Sequence, residues 1–259
     1  ENHNIGIGNY SLGSAIAGGE NNIAIGYQTL DALTSGDDNV AIGYQAGSAL
    51  TEGLRMTAIG KYAGLALTTA IDCTFVGETS GSAITTGRSN NAFGKAALSN
   101  TDTETHNLAI GVGALSGAIN GAEYNVAVGN YTLDAVTSAD SCTAVGYNAG
   151  TSITSSPKNT LVGESAGASI TSGTGRNVAI GQNAGNAGTV LTTGQNNILI
   201  GPEAKVSAAA ATFQFVIGSN VTGSGNSTTT IGYDSTEIAT THGSADWAAV
   251  SDERYKKDI

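Results

Sequence analysis

Proline, aromatic residues and charged residues are all scarce in this chain. With 2 Pro in 259 residues, the sequence lacks the composition of collagen and of proline-rich linkers. Charged residues make up 12%, about half the usual proportion, whereas 40% of the residues are apolar. Intrinsic disorder is excluded, because disordered chains combine high charge with few apolar residues. The apolar residues are mostly Ala, Ile, Val and Leu, so the sequence predicts a thin and regular core.

Basic residues are also few, since 10 Lys and Arg face 21 Asp and Glu. Binding to nucleic acid depends on clustered basic side chains, so we expect no nucleic-acid partner. No apolar run approaches the ~18 residues of a membrane-spanning helix, and we expect no membrane insertion. The sequence predicts no cofactor and no metal site, because its three His are far apart and the acidic pair Asp37 and Asp38 occurs once.

Glycine is abundant and marks an internal repeat. The phrase Asn, aliphatic or Thr, small residue, Ile or Val, then Gly recurs mostly every 17 residues, for example as NIAIG, NVAIG and NLAIG. Such a unit is too short for a strand and helix together, because that crossover alone takes about a dozen residues. The sequence therefore predicts an all-β fold, a narrow parallel β-solenoid (β-roll) of about fourteen 17-residue coils, with two short strands in each coil.

The repeated strand is apolar on both faces. We expect the residue before the Gly, such as Ile25 or Ile42, to fill the interior of the coil. The middle residue points the other way and is mostly Ala. A strand that is apolar on both faces is covered on both, so the alanines are predicted to contact sister chains in a parallel homotrimer. These predicted interface residues are Ala24, Ala41, Ala58, Ala92, Ala109, Ala127, Ala144 and Ala179.

Asparagine opens most of the strands. Stacked Asn side chains can form a hydrogen-bonded ladder, and Asn also suits the preceding turn. Met56, Cys73 and Cys142 occupy three gaps in this column. The two cysteines lie four coils apart, beyond disulfide reach, and we expect them to be small fillers of the column.

The N-x-A-I-G phrase resembles the head repeats of trimeric autotransporter adhesins of the YadA kind. That family forms a left-handed parallel β-roll with three chains side by side. The longer form NVAIGYQAGSALTEG is similar to the variant found in bacteriophage tail fibres. The resemblance covers residues 1–205, which we interpret as a solenoid shaft or head, and residues 206–238 are interpreted as atypical terminal coils.

The last nine residues, SDERYKKDI, resemble the opening of the intramolecular chaperone domain that ends endosialidase-type tailspikes and many phage fibres. In that family the domain trimerises the fibre and then cuts itself away. The resemblance implies that Ser251 is the nucleophile and Lys256 the base, since Ser needs a neighbouring base to attack a peptide bond. We interpret residues 239–250 as a linker and 251–259 as the start of this domain. Self-cleavage is expected of the parent protein, with the pair inactive in this chain.

Tyrosines follow many of the anchor glycines, either one residue later, as at Tyr27, Tyr44 and Tyr147, or two residues later, as at Tyr10 and Tyr62. Exposed aromatic side chains at a turn can contact sugars, which makes Tyr27, Tyr44 and Tyr147 candidate glycan contacts, although a Tyr at a strand edge is more often packing.

Together these features lead us to expect a non-enzymatic, trimeric segment of a phage tail fibre. Its partners would be a host-cell receptor, either a glycan or an outer-membrane component, and other tail proteins of the virion. The alternatives are the head of a trimeric adhesin on a bacterial surface and the non-catalytic part of a glycan-degrading tailspike.

Overall fold

The computed structural model describes residues 3–234 and 236–244 and the backbone of 248–249. Within these residues there are β-strands and turns, and no helix. The chain divides into two compact units between Ser138 and Ala139. The strands of the first unit are β1 Ile5–Ile7, β2 Ile23–Ile25, β3 Val40–Ile42, β4 Thr57–Ile59, β5 Thr74–Val76, β6 Asn91–Phe93, β7 Leu108–Ile110 and β8 Val126–Val128. Those of the second are β9 Thr143–Val145, β10 Thr160–Val162, β11 Val178–Ile180, β12 Ile198–Ile200, β13 Phe215–Ile217, β14 Thr228–Tyr233, β15 Thr236–Thr241 and β16 Ala248–Ala249.

The first unit is a stack of coils with one three-residue strand in each. Every strand from β1 to β7 pairs in parallel with the next strand along the chain. The register aligns equivalent positions of the repeat, so that Ala41 lies between Ala24 and Ala58. The predicted all-β parallel solenoid is therefore confirmed.

The second unit begins in the same way and ends differently. Strands β9 to β14 pair in parallel, whereas β14 with β15 and β15 with β16 are antiparallel. Parallel pairing thus continues into residues 206–238, where Phe215 lies opposite Ile198. Part of the range 239–250, expected to be a linker, is strand, because β15 extends to Thr241 and Ala248–Ala249 forms β16.

The two faces of the repeated strand are reversed relative to the prediction. The middle alanines have no exposed surface even in a single chain, so they face the interior of their own coil. The residues that precede the glycines face outward, and Ile110 is 38% exposed. The prediction that the alanines contact sister chains is wrong, because their own coil already encloses them. The residues that were predicted to lie at the trimer interface and are instead buried inside the coil are Ala24, Ala41, Ala58, Ala92, Ala109, Ala127, Ala144 and Ala179.

The reason for the small middle residue is the narrowness of the coil. The residue six positions later faces it across the interior, and in several coils the two sizes are complementary. Where both are small, as at Ala41 and Gly47, Leu30 and Met56 fill the space beside them. Ala109 is followed by Leu115, and both are fully buried. Phe75 is followed by Gly81, where an added Cβ would lie 2.3 Å from a ring carbon of Phe75. Close packing of this kind leaves space for one large side chain of the two.

The expected second strand of each coil is absent from the described residues. After each anchor Gly the chain instead makes tight turns with positive φ, for example 50° at Gln28 and 48° at Leu30. This left-handed region is incompatible with a strand. The turns still bond from coil to coil, because the amide of Leu30 donates to the carbonyl of Ala46 over 3.2 Å.

The anchor Gly is required for two separate reasons. Gly43 has a φ of 134°, which side chains of L-residues rarely tolerate. In addition, a Cβ at this position would lie 2.5 Å from the carbonyl oxygen of Gly60 in the next coil. The glycine column therefore allows adjacent coils to approach at this corner.

The predicted Asn ladder is confirmed. The side-chain amide of Asn39 donates to Oδ1 of Asn22 over 2.9 Å and to the carbonyl of Gly53 over 2.8 Å. Its own Oδ1 accepts from the backbone amide of Met56 over 2.9 Å. Since Asn39 is fully buried, these bonds satisfy a polar group that would otherwise destabilise the interior.

Candidate functional site

The most extensive candidate surface is a row of outward-facing apolar side chains, which we call the outer stripe. It consists of the third residue of each three-residue strand. In the first unit these residues are Ile7, Ile25, Ile42, Ile59, Val76, Phe93, Ile110 and Val128. In the second unit they are Val145, Val162, Ile180, Ile200 and Ile217.

The side chains of the outer stripe keep a substantial exposed fraction, for example 39% at Phe93 and 38% at Ile180. The register places them side by side within each unit, as at Phe93 and Ile110. The first residue of each strand, two positions earlier, shares this face and is half-buried from β2 to β13. A contiguous exposed row of large apolar residues is typical of a surface that contacts another protein.

The turn after the anchor Gly forms a second candidate surface, which we call the tyrosine patch. It consists of Tyr10, Tyr27, Tyr44 and Tyr62. The rings of Tyr27 and Tyr44 are stacked, with centroids 5.3 Å apart. Tyr10 and Tyr62 meet the two ends of this pair edge-on, at 6.1 and 5.4 Å.

The sequence had singled out Tyr27, Tyr44 and Tyr147 as possible sugar contacts. The structure brings the first two together and adds Tyr10 and Tyr62, which lie one residue further from their glycines. Tyr147 is exposed and belongs to the second unit, so it lies outside the patch. The signal that sequence reasoning missed was that four consecutive coils each carry a Tyr at one of two adjacent turn positions.

Polar groups flank the tyrosine patch. Nε2 of Gln45 donates to Oε1 of Gln28 over 2.7 Å, and Nζ of Lys61 lies 4.9 Å from the ring centroid of Tyr62. The pKa of the Tyr44 hydroxyl is raised, first by burial against its neighbours and then by Tyr62 and Tyr27. The patch therefore combines aromatic rings with amide and hydroxyl groups.

The two cysteines are free and buried. Burial raises the pKa of the Cys73 thiol to about 11, and it also raises the pKa of Cys142. Because the thiolate is the reactive form, neither environment favours a nucleophile at neutral pH.

The other sites considered from the sequence give no catalytic or metal-binding arrangement in the part of the chain that the structure describes. Ser251 and Lys256 lie outside the described residues. Among the described residues, no group of three or more His, Cys, Asp or Glu is placed to hold a metal ion. Asp37 instead accepts a hydrogen bond from the backbone amide of Glu20 over 2.8 Å. The described residues contain no helix that could cross a membrane.

Comparison with protein-family models, curated proteins and solved structures finds no match to this chain. The candidate functional surfaces are therefore defined by the geometry of this molecule, and they are the outer stripe and the tyrosine patch.

Proposed function

We propose that this chain is a non-catalytic segment of a homotrimeric attachment fibre, in which three copies pack side by side through their outer stripes. The observation that supports this proposal is the position of the large β-branched residues. The coil excludes them from its own interior, and within each unit they form a row on its outside.

Covering this row is favourable on physical grounds. Burial of apolar surface contributes about 25 cal/mol per Å², so a contact repeated in every coil accumulates stabilisation. A second copy of the chain carries the same row at the same spacing, which makes it a geometrically matched partner. Closed symmetric assemblies of identical chains are also the usual form of soluble oligomers.

The proposed setting is the tail of a bacteriophage, outside the host cell. It is supported by the N-x-A-I-G repeat and by the resemblance of SDERYKKDI to a chaperone that matures phage fibres. In this setting the chain is a shaft or receptor-binding module that attaches the virion to a host-cell receptor, next to other tail proteins. The head of a bacterial surface adhesin and the non-catalytic part of a tailspike remain the alternative settings.

The mass of the particle in solution tests the assembly. Light scattering coupled to size exclusion should give about three times the chain mass of 25.7 kDa. The double variant Phe93→Lys/Ile110→Lys places two charges on adjacent outer-stripe positions and should dissociate the trimer. The double variant Thr69→Lys/Thr86→Lys, at two exposed positions of the first unit, is the matched control and should leave the mass unchanged.

Two results would contradict this proposal. A wild-type particle with the mass of a single chain would remove the trimer. Shortening of host polysaccharide by the purified chain would remove the non-catalytic assignment. For the attachment role, the trimer should bind host cells more tightly than the Phe93→Lys/Ile110→Lys variant, because three linked copies increase avidity.

A further inference from the structure

Three of the four tyrosines of the patch are exposed although their rings contact one another, and Tyr62 is half-buried. Tyr10 is 58% exposed, Tyr27 40% and Tyr44 44%. The ring of Tyr10 lies at 89° to that of Tyr27, so Tyr27 does not stack on either face of the Tyr10 ring. Aromatic side chains that are apolar in the ring and polar at the tip are suited to partners that are partly apolar and partly polar.

The amides beside the rings have unused hydrogen-bonding capacity. Gln45 donates to Gln28, which fixes both side chains next to each other. Among the residues that the structure describes, neither the amide nitrogen of Gln28 nor the amide oxygen of Gln45 has a hydrogen-bond partner. The pair therefore presents one donor and one acceptor that a ligand could engage.

The charge around the patch argues against an acidic ligand. The whole chain has a net charge of −11, which disfavours the approach of polyanions. The patch itself is made of neutral side chains, and its flanking cation, Lys61, already lies over the ring of Tyr62. A ligand that fits must offer hydroxyl groups and an apolar face without a net negative charge.

We infer that the tyrosine patch, with Gln28 and Gln45, binds a neutral glycan built of pyranose rings. Such rings have apolar faces that pack on aromatic side chains and hydroxyls that both donate and accept hydrogen bonds. The patch extends over four consecutive coils with ring centroids 5.3 to 6.1 Å apart, so it can contact several sugar units of one chain. This inference rests on the proposed attachment function and specifies its receptor class.

The test is binding of the full chain to immobilised neutral hexose and N-acetylhexosamine oligosaccharides, with sialylated and uronic-acid oligosaccharides beside them. We expect binding to the neutral set alone. Tyr27→Ala/Tyr44→Ala and Gln28→Ala/Gln45→Ala should each weaken it by about tenfold or more. Tyr233→Ala is the matched control, because Tyr233 is 70% exposed and lies in the second unit. Circular dichroism of each variant should match that of the wild type.

The inference is overturned if the wild type binds no neutral oligosaccharide, if it binds only the acidic ones, or if Tyr233→Ala weakens binding as much as the patch variants. Measuring the particle mass in the same samples distinguishes a failure of glycan binding from a failure of the proposed trimer. A trimer without glycan binding would contradict the patch alone, whereas a monomer that binds glycans through these residues would contradict the trimer alone.

Discussion

At the scale of single residues, the position just before each strand is occupied by different side chains that face the same backbone carbonyl. Asn39 donates to the carbonyl of Gly53, 14 residues ahead, over 2.8 Å. Cys73 and Cys142 occupy the same position in their coils, and each thiol lies 3.4 Å from the carbonyl 14 residues ahead. A thiol is a weak donor that behaves as a small apolar group, so it fills the column with less hydrogen bonding.

The buried thiols make stability depend on pH at the alkaline end. The pKa of Cys73 is about 11 in the folded chain, against an ordinary value of 9.0. As pH rises through this window the unfolded chain loses a proton that the folded chain retains, so the free energy of unfolding falls. Urea unfolding of the wild type and of Cys73→Ala/Cys142→Ala should show the steeper fall in the wild type. Parallel pH profiles in the two proteins would contradict the prediction.

At the scale of one coil, packing is a pairing of two positions across a narrow interior. Phe75 is the largest fully buried side chain among the described residues. It fills the part of its coil that corresponds to the place of Leu115 in the coil of Ala109. Gly81, which faces Phe75, has a φ of 56°, and Leu115 has a φ of 52° in the equivalent turn. The backbone at this position therefore accepts Leu as well as Gly. The space left by the strand residue and by the side chains of neighbouring coils decides which one fits, since Gly47 is crowded by Leu30 and Met56 although its strand residue is Ala41.

This pairing predicts a rescue. Phe75→Ala should lower the free energy of unfolding by about 3–5 kcal/mol, because it leaves a cavity. Gly81→Leu alone should also be destabilising, since its side chain would meet the ring of Phe75. The double variant Phe75→Ala/Gly81→Leu recreates the Ala and Leu pairing and should recover much of the loss. Urea unfolding of all four proteins gives the coupling energy, and additive losses would contradict the pairing.

The same pairing explains what the sequence could and could not predict. The spacing of the glycines predicted the parallel coils, and the Asn column predicted the ladder, because both follow from position in the repeat alone. The orientation of the strand did not follow, since Ile25 has the larger side chain and was assigned to the interior. The fully buried Leu30 already fills that interior and leaves space only for Ala24, which the pairing in the structure reveals.

At the scale of the whole molecule, the reversed strand alters the proposed interface without removing the reason for one. A row of alanines would have offered little apolar surface, whereas the outer stripe offers Ile, Val and Phe side chains in every coil. Three consecutive strands, β4 to β6, carry Thr57, Thr74 and Asn91 at their first position. The apolar face is therefore broken by a polar section in the first unit, and polar positions of this kind can fix the register of associating chains.

Association through the outer stripe should make thermal stability depend on protein concentration. If three chains associate only when folded, mass action raises the unfolding midpoint as the concentration increases. We expect this shift for the wild type in scanning calorimetry over a wide concentration range, and none for Phe93→Lys/Ile110→Lys. Thr69→Lys/Thr86→Lys should behave as the wild type does, because it adds the same two charges away from the stripe. A midpoint of the wild type that is independent of concentration would indicate that the apolar rows remain uncovered in the folded chain.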